Sequence, residues 1–393
     1  MLDAIYDLNY HISMKKILFR KLLTDYLTFF ILALLSSSII VWVFQAVNFL
    51  DIMIEDGRDY IVYINYSLLH FPKILAKLFS FVLFFSVFYV TIKYENNNEL
   101  LIFWNFGIHK KELVNLVLRF SLVMTVIQIM LTSVLVPNSQ DTAKSFLRKS
   151  TVNVFENFIK PQRFNDTIKN LTIYSEKKDS EGNLYNLYVK KKINDDEYQI
   201  TYAKKGLFRN LNNTPYLVLF QGETISGKGK NTTKLKFLRS EFPLNNIETN
   251  TTTYKKTQEL STINLINCIK KINQVSINKI NFADDQIENC STRNLRSILK
   301  EIYKRIIIPF YIPLLMLVPY LLILISKENE NFSKLKYATF FIGLSFIIFS
   351  ETTIRLISTN SLLNYFLFGI PFLSVALLYM VLLKNFNFNH NST

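Results

Sequence analysis

Apolar and polar positions are arranged along this chain on two different scales. Six runs, at 22–49, 71–92, 113–136, 306–325, 337–357 and 362–383, are long and apolar enough to cross a hydrocarbon core of about 30 Å as helices. Between the third and fourth runs the pattern changes. Segments at 171–177, 184–192, 198–205, 216–222 and 234–238 carry β-branched or aromatic residues in alternation and are separated by glycines or asparagine-rich turns. That spacing predicts a half-buried antiparallel β-domain of sandwich or jelly-roll type. Residues 263–304 predict a linker that becomes helical near Leu295 and leads into the fourth run. The expected fold is thus a membrane α-helical protein of six spans with an inserted antiparallel β-domain. Its segments are 1–137, 138–262, 263–304 and 305–393.

The polar interval between the second and third runs has a pattern of its own, which predicts a short helix near 96–107. Asn96, Asn97 and Asn98 suit a turn and a helix N-cap, and Glu99 falls where a carboxylate complements the helix dipole. Leu100, Phe103 and Trp104 recur at one-turn spacing as an apolar stripe, and Gly107 can take the left-handed conformation that ends a helix. Something must cover the stripe. A bilayer interface suits Trp104, and a groove on another protein suits the same pattern.

Composition narrows the class. With 50% hydrophobic and 15% aromatic residues the chain is too apolar to be disordered. The net charge of +15 accompanies heavy use of Asn, Lys and Ile and only 9 glycines, a bias spread along the whole chain, so it does not argue for a nucleic-acid partner. Where the basic residues sit is more informative. Lys15, Lys16, Arg20 and Lys21 precede the first run; Lys93, Lys110 and Lys111 flank the central stretch; Lys327, Lys334 and Lys336 separate the fourth and fifth runs; Lys384 follows the sixth. Basic residues are retained on the cytoplasmic side, so these ends and both termini are expected inside. The acidic loop with Asp51, Glu55, Asp56 and Asp59 and the β-domain are then outside, in the periplasm of a Gram-negative cell. No small-residue cleavage site follows a short apolar core, so the first run is expected to remain as a span; Met14, before Lys15 and Lys16, is a second candidate start.

Catalytic chemistry is hard to find. There is no GxxxxGKS/T phosphate loop, no HExxH and no grouping of Ser, His and Asp on a plausible scaffold; His11, His70, His109 and His390 are scattered. No catalytic residue, metal site or cofactor is expected. Cys268 and Cys290 lie outside any CxxC or His-rich context and are compatible with one disulfide or with two thiols. Ionisable residues near span ends are the remaining candidates, because a charge inside a membrane usually faces an interior path. Lys73 and Lys77 carry this reading in the second run, with snorkelling to the interface as the alternative, and Arg305 and Arg355 carry it in the fourth and fifth. Glu351 is spaced to pair with Arg355 four residues on.

Six spans, a β-domain between the third and fourth, and a polar helix between the second and third resemble the LptF/LptG permeases of the lipopolysaccharide exporter. The family's coupling-helix pattern matches Glu99, Leu100 and Leu101 through Gly107 and Ile108; its proline closing the third span matches Pro137; its acidic, basic and proline positions before the fourth match Glu301, Arg305 and Pro309. Trp104 and Phe106 stand where the family often has smaller residues. The stretch VFQAVNFLDIMIEDG is more similar to the LptF branch than to the LptG branch. The resemblance implies an inner-membrane transport subunit without its own ATPase site. It implies an LptB-like ATPase dimer against Glu99, Leu100, Phe103, Trp104 and Gly107, an LptG-like partner permease, LptC-like and LptA-like periplasmic proteins, and lipopolysaccharide as cargo. It also implies a lipid pathway for which Lys77, Arg305 and Arg355 are candidates, and a jelly roll whose groove receives acyl chains. Two other classes compete: a mechanical or signalling subunit of another ABC system that carries no lipid, and a membrane enzyme, which should place paired polar groups at a span end.

Overall fold

The computed structural model describes residues 2–54, 60–146, 161–168, 171–179, 182–192, 197–211, 214–228, 231–243, 256–278, 290–325, 327–358 and 361–388. Its helices and strands in chain order are α1 (Leu2–Ile54), α2 (Tyr60–Leu69), α3 (Phe71–Asn96), α4 (Glu99–Asn105), α5 (Lys110–Met130), β1 (Phe164–Ile168), β2 (Leu171–Lys178), β3 (Leu184–Lys192), β4 (Glu197–Leu211), β5 (Thr214–Lys228), β6 (Asn231–Pro243), α6 (Thr262–Asn278), α7 (Leu295–Ile302), α8 (Ile312–Leu317), α9 (Phe332–Leu356) and α10 (Ser361–Phe388). Among the described residues six helical stretches are long and apolar enough to cross a membrane: Met14–Leu50, Tyr60–Asn96, Lys110–Phe146, Leu295–Leu324, Phe332–Leu356 and Leu362–Asn385. Contacts group the chain into two compact units. One comprises Met1–Trp42, Phe71–Gln140 and Lys255–Thr393, the other Val43–His70 and Asp141–Tyr254.

The number of spans agrees with the hydrophobic pattern, but several ends do not. Asp51 lies in the last turn of α1 rather than in a loop, while Glu55, Asp56, Arg58 and Asp59 fall outside the described residues. Pro137 does not close the third span, which continues to Phe146. The reason is local. A π-turn at Leu131–Leu135 widens the helix before the proline, and the Ser133 carbonyl, four residues before an imide that has no N–H, accepts a 2.6 Å hydrogen bond from the Thr262 hydroxyl. The fourth span uses the same device repeatedly. After α7 come a π-turn (Tyr303–Ile307), a 3-10 turn (Ile308–Tyr311), α8 and a 3-10 stretch (Val318–Leu324), with Pro309, Pro313 and Pro319 each near the start of a new segment. Pro309 frees the Arg305 carbonyl, which accepts from the Thr132 hydroxyl at 2.8 Å.

In the first unit the fourth span is the centre. Ile312, Met316, Leu317, Val318 and Tyr320 are completely buried, as a helix apolar on every face must be. Leu22 and Tyr26 of α1, Val82, Leu83 and Val87 of α3, Leu113 and Val117 of α5 and Leu382 of α10 pack in the same cluster. Phe84 and Phe88 of α3 meet Leu315 and Val318 on another side. Against this packing Gly343 of α9 lies so close to Phe84 that a Cβ would enter the ring. Leu265, Cys268 and Ile272 of α6 pack on Ile298 of α7, and Cys268 and Cys290 form a disulfide, which settles the choice between bridge and thiols. Closing a 22-residue separation contributes about 3 kcal/mol.

In the second unit the six strands form one antiparallel sheet in sequential order. The expected segment 184–192 coincides with β3 and the other four lie within longer strands, while β1 was missed because its Asn165 and Asp166 are poor strand formers. A jelly roll crosses between two sheets by Greek-key connections, whereas each strand described here pairs with its chain neighbours. What gives the sheet depth is a crease. Pairing lapses between Tyr185↔Lys205 and Leu187↔Ala203, and again between Lys205↔Phe220 and Ala203↔Gly222; Asn186 and Gln221, with φ of 49° and 50°, are left-handed at those points. Core-facing positions consequently change parity within β3, from Leu187 and Val189 to Leu184.

Replacing Gly343 with Ala should destabilise the helical unit by about 1–3 kcal/mol, because overpacking forces the Phe84 ring to move. Thermal melts in detergent should recover most of that loss in Gly343→Ala/Phe84→Leu; additive losses in the double variant would mean the two positions do not meet.

Candidate functional site

The polar interval folds as a seven-residue helix, α4, with Asn98 as its N-cap in the left-handed conformation (φ 59°) that Asn tolerates. The Asn98 side chain makes no cap hydrogen bond; Asn97 instead donates to Glu99 Oε1 at 3.2 Å. The other end is a paired backbone cap. Ile108 N donates to Phe103 O at 3.0 Å and Gly107 N to Trp104 O at 2.9 Å, with Gly107 at φ 68°, and Ile108 packs with Phe103.

The stripe expected to meet a partner is covered by the chain itself. Leu100 and Phe103 are 3% and 2% exposed inside the main core, and Phe103 lies 6.4 Å from the Tyr94 ring. Trp104 is partly buried on the same core beneath Lys110 Nζ, 5.9 Å from its centroid, and that amine donates to Ile323 O at 2.9 Å. The free apolar face of α4 is Leu101 and Ile102, at 52% and 44% exposure, with Glu99 half-buried beside them. A helix reading LLIFW is apolar on both sides, so spacing alone could not say which side the bundle takes.

A second feature lies at the end of α3 opposite α4. A cavity of about 100 Å³ is enclosed by α3, the third, fourth and fifth spans and Gln258. Lys73, Lys77, Lys304 and Arg305 line it against Glu301 and Glu351, giving an excess of positive charge. Gln128 donates its amide to Ala76 O at 2.9 Å, but its buried Oε1 has no partner among the described residues, so this cavity has polar capacity left to offer.

The three basic candidates separate. Lys77 is exposed and lines the cavity. Arg305 lines it too, but its guanidinium is committed to the fold: Nε to Glu301 at 3.0 Å, Nη1 to Leu260 O at 2.9 Å and to the Thr262 hydroxyl at 3.1 Å, and Nη2 to Gln258 O at 3.0 Å. Four of its five N–H groups are taken, so it organises the cavity wall rather than offering a free charge. Arg355 is exposed, does not line the cavity, and makes no ion pair with Glu351 among the described residues. Sequence reading missed Lys304, Thr132 and Gln128; a glutamine within an apolar run was the available signal.

The second unit has a larger concavity, about 940 Å³, on the creased face of the sheet. Tyr174, Tyr188 and Tyr202 line it with Phe237, Lys204 and Lys236, the Tyr188 and Tyr202 rings being 5.2 Å apart. Burial and the neighbouring Tyr202 raise the Tyr188 phenol above its ordinary value.

Six helical stretches long and apolar enough to cross a membrane, with an inserted sheet and a basic cavity between helices, describe a multi-pass membrane protein, and among the described residues no cluster of three or more His, Cys, Asp or Glu could hold a metal. The chain belongs to the lipopolysaccharide export system permease LptF/LptG family, whose model matches residues 20–385. It is also similar to an uncharacterized protein of Rickettsia prowazekii (strain Madrid E), at 25% identity over 208 residues, or 52% of this chain. That match covers 57% of the relative, less than two thirds of its length.

Arg305→Ala should cost about 3–5 kcal/mol, since it leaves Glu301 and two carbonyls without their donor in a buried wall. Lys77→Ala, at an exposed position, should stay within about 0.5 kcal/mol of the parent. Melting curves in nanodiscs discriminate; equal losses would place the two residues in equivalent environments.

Proposed function

We propose that this chain is one permease half, of LptF type, in an ABC-type lipopolysaccharide exporter of the inner membrane, with a separate LptB-like ATPase dimer supplying the energy. An LptG-like permease completes the pair, and LptC-like and LptA-like proteins receive the lipid in the periplasm. The observation that carries the reading is the family match over residues 20–385, combined with a positively charged cavity enclosed by spans. A phosphorylated lipid head suits Lys77 and Lys304, which line the same cavity as Gln128 with its buried amide oxygen. The creased, tyrosine-lined sheet is the groove that receives the acyl chains.

The orientation has two supports. Basic residues cluster at alternate ends of the spans, and the Cys268–Cys290 disulfide belongs in an oxidising compartment. Both termini and α4 are then cytoplasmic, while the sheet and the disulfide are periplasmic. A membrane-impermeant maleimide applied to outer-membrane-permeabilised cells should label Cys268 and Cys290 only after reduction. Labelling that requires lysis of the inner membrane would invert the topology.

At the cytoplasmic face α4 meets the ATPase through Leu101, Ile102 and Glu99, with Leu100, Phe103 and Trp104 holding the helix from behind and Gly107 closing it. Ile102→Asp and Glu99→Lys should each reduce ATPase co-purification about tenfold or more, as loss of an anchor or a rim contact does, without lowering the melting temperature. Leu100→Ala should lower the melting temperature by its lost burial first. Full ATPase occupancy and full lipopolysaccharide release in both Ile102→Asp and Glu99→Lys would return α4 to the membrane surface.

A further inference from the structure

Behind the ring contact of α4 with Tyr94, the helices of the bundle are joined by hydrogen bonds. Tyr94, against whose ring Phe103 rests, donates its hydroxyl proton to Asp25 Oδ2 at 2.5 Å. The other carboxylate oxygen of Asp25 pairs with Lys21 at 3.3 Å. One residue further along α1, the buried Tyr26 hydroxyl lies 2.8 Å from the Tyr320 hydroxyl and 3.0 Å from the Thr91 hydroxyl. Tyr26, Thr91 and Tyr320 are each 2% exposed or less. A ring contact, a hydrogen bond, the chain step from Asp25 to Tyr26 and a second hydrogen bond thus lead from α4 through α3 and α1 to the fourth span, whose other end carries Arg305 and the cavity wall.

Apolar contacts are non-directional and let helices slide past one another, whereas hydrogen bonds fix distance and register. A burial requirement alone would be met by phenylalanine at 94 and 320. The Tyr26 and Tyr320 hydroxyls meet each other and the Tyr94 hydroxyl meets Asp25, the residue next to Tyr26; placed between α4 and the span that walls the cavity, they are suited to keep those parts in step. We propose that the Tyr94–Asp25 and Tyr26–Tyr320 hydrogen bonds, joined through the adjacent positions 25 and 26 of α1, carry displacement of α4 to the fourth span, with Tyr94 as a positioning residue for transport. The inference rests on the exporter reading and adds to it the route by which work done at α4 reaches the lipid cavity.

The test uses the complete exporter with its ATPase in proteoliposomes containing lipopolysaccharide, and reads three quantities: ATPase occupancy, melting temperature and lipid released per ATP hydrolysed. Tyr94→Phe keeps the ring on Phe103 and removes only the hydroxyl. Occupancy and melting temperature should match the parent while lipid released per ATP falls about tenfold, the scale of one charge-assisted hydrogen bond. Tyr320→Phe, at the far end of the link, should produce the same split. Asp25→Asn still offers an amide oxygen to the tyrosine and should keep roughly half or more of the parent ratio, while Asp25→Ala should fall as Tyr94→Phe does. Tyr94→Phe/Asp25→Ala should be no worse than either single change, since both cut one link. An unchanged ratio in Tyr94→Phe, multiplicative losses in the double variant, or a ratio that falls only in step with melting temperature overturns the proposal. If the parent complex releases no lipid at all, the exporter reading falls and this inference falls with it; a working parent with an unaffected Tyr94→Phe sinks the inference alone.

Discussion

Inside a membrane every backbone carbonyl needs a donor, and this bundle is arranged around two carbonyls that lost theirs. Pro137 removes the donor for Ser133 and Pro309 removes the donor for Arg305; Thr262 and Thr132 replace them. The replacements are not independent. Thr132 belongs to the third span and reaches the fourth, Thr262 belongs to α6 and reaches the third, and the Arg305 guanidinium binds Thr262 and two carbonyls just before it. The prolines thus create, at one place, the polar contacts that join three segments distant in the chain. An all-apolar junction could slide; this one has a register.

The same junction forms one wall of the charged cavity, which explains why its arginine is structural. A guanidinium enclosed by spans is tolerated only when nearly all its N–H groups are met, and meeting them removes it from the set available to a ligand. Lys77 and Lys304, which show no such commitments among the described residues, remain as charges that line the cavity. At the other end of the same helices, α4 divides its apolar residues between two tasks. Leu100 and Phe103 fasten it to the core and Leu101 and Ile102 stay outside. A helix anchored on one side and exposed on the other can transmit force, which a helix merely floating on a bilayer surface cannot.

The sheet follows a different rule. Its strands pair simply with their neighbours, and its shape comes from residues that break the pairing. Asn186 in β3 and Gln221 in β5, on either side of β4, take left-handed backbone angles, and the sheet bends there to leave a hollow lined by tyrosines. Strand alternation, read strictly, assigns Leu184 to the wrong face of β3, because alternation holds only while the pleat is unbroken.

Hydrophobic runs and β-type alternation were enough to determine six spans, an inserted antiparallel sheet and the short helix at 99–105, since these depend on local length and period. The motifs around Glu99, Pro137 and Arg305 were also enough to point to the family that the whole-chain match establishes. What periodicity could not supply was the partner of each side chain. Pro137 reads as a helix end until Thr262, far along the chain, is found on the Ser133 carbonyl. Arg305 reads as a lipid contact until its acceptors at Gln258, Leu260 and Thr262 are in place, and Leu100 reads as a docking residue until Tyr94 and the core close over its face of α4. Local pattern determines which elements form because it acts through neighbours in the chain; which face is buried and which charge is free depend on residues brought together only by the fold.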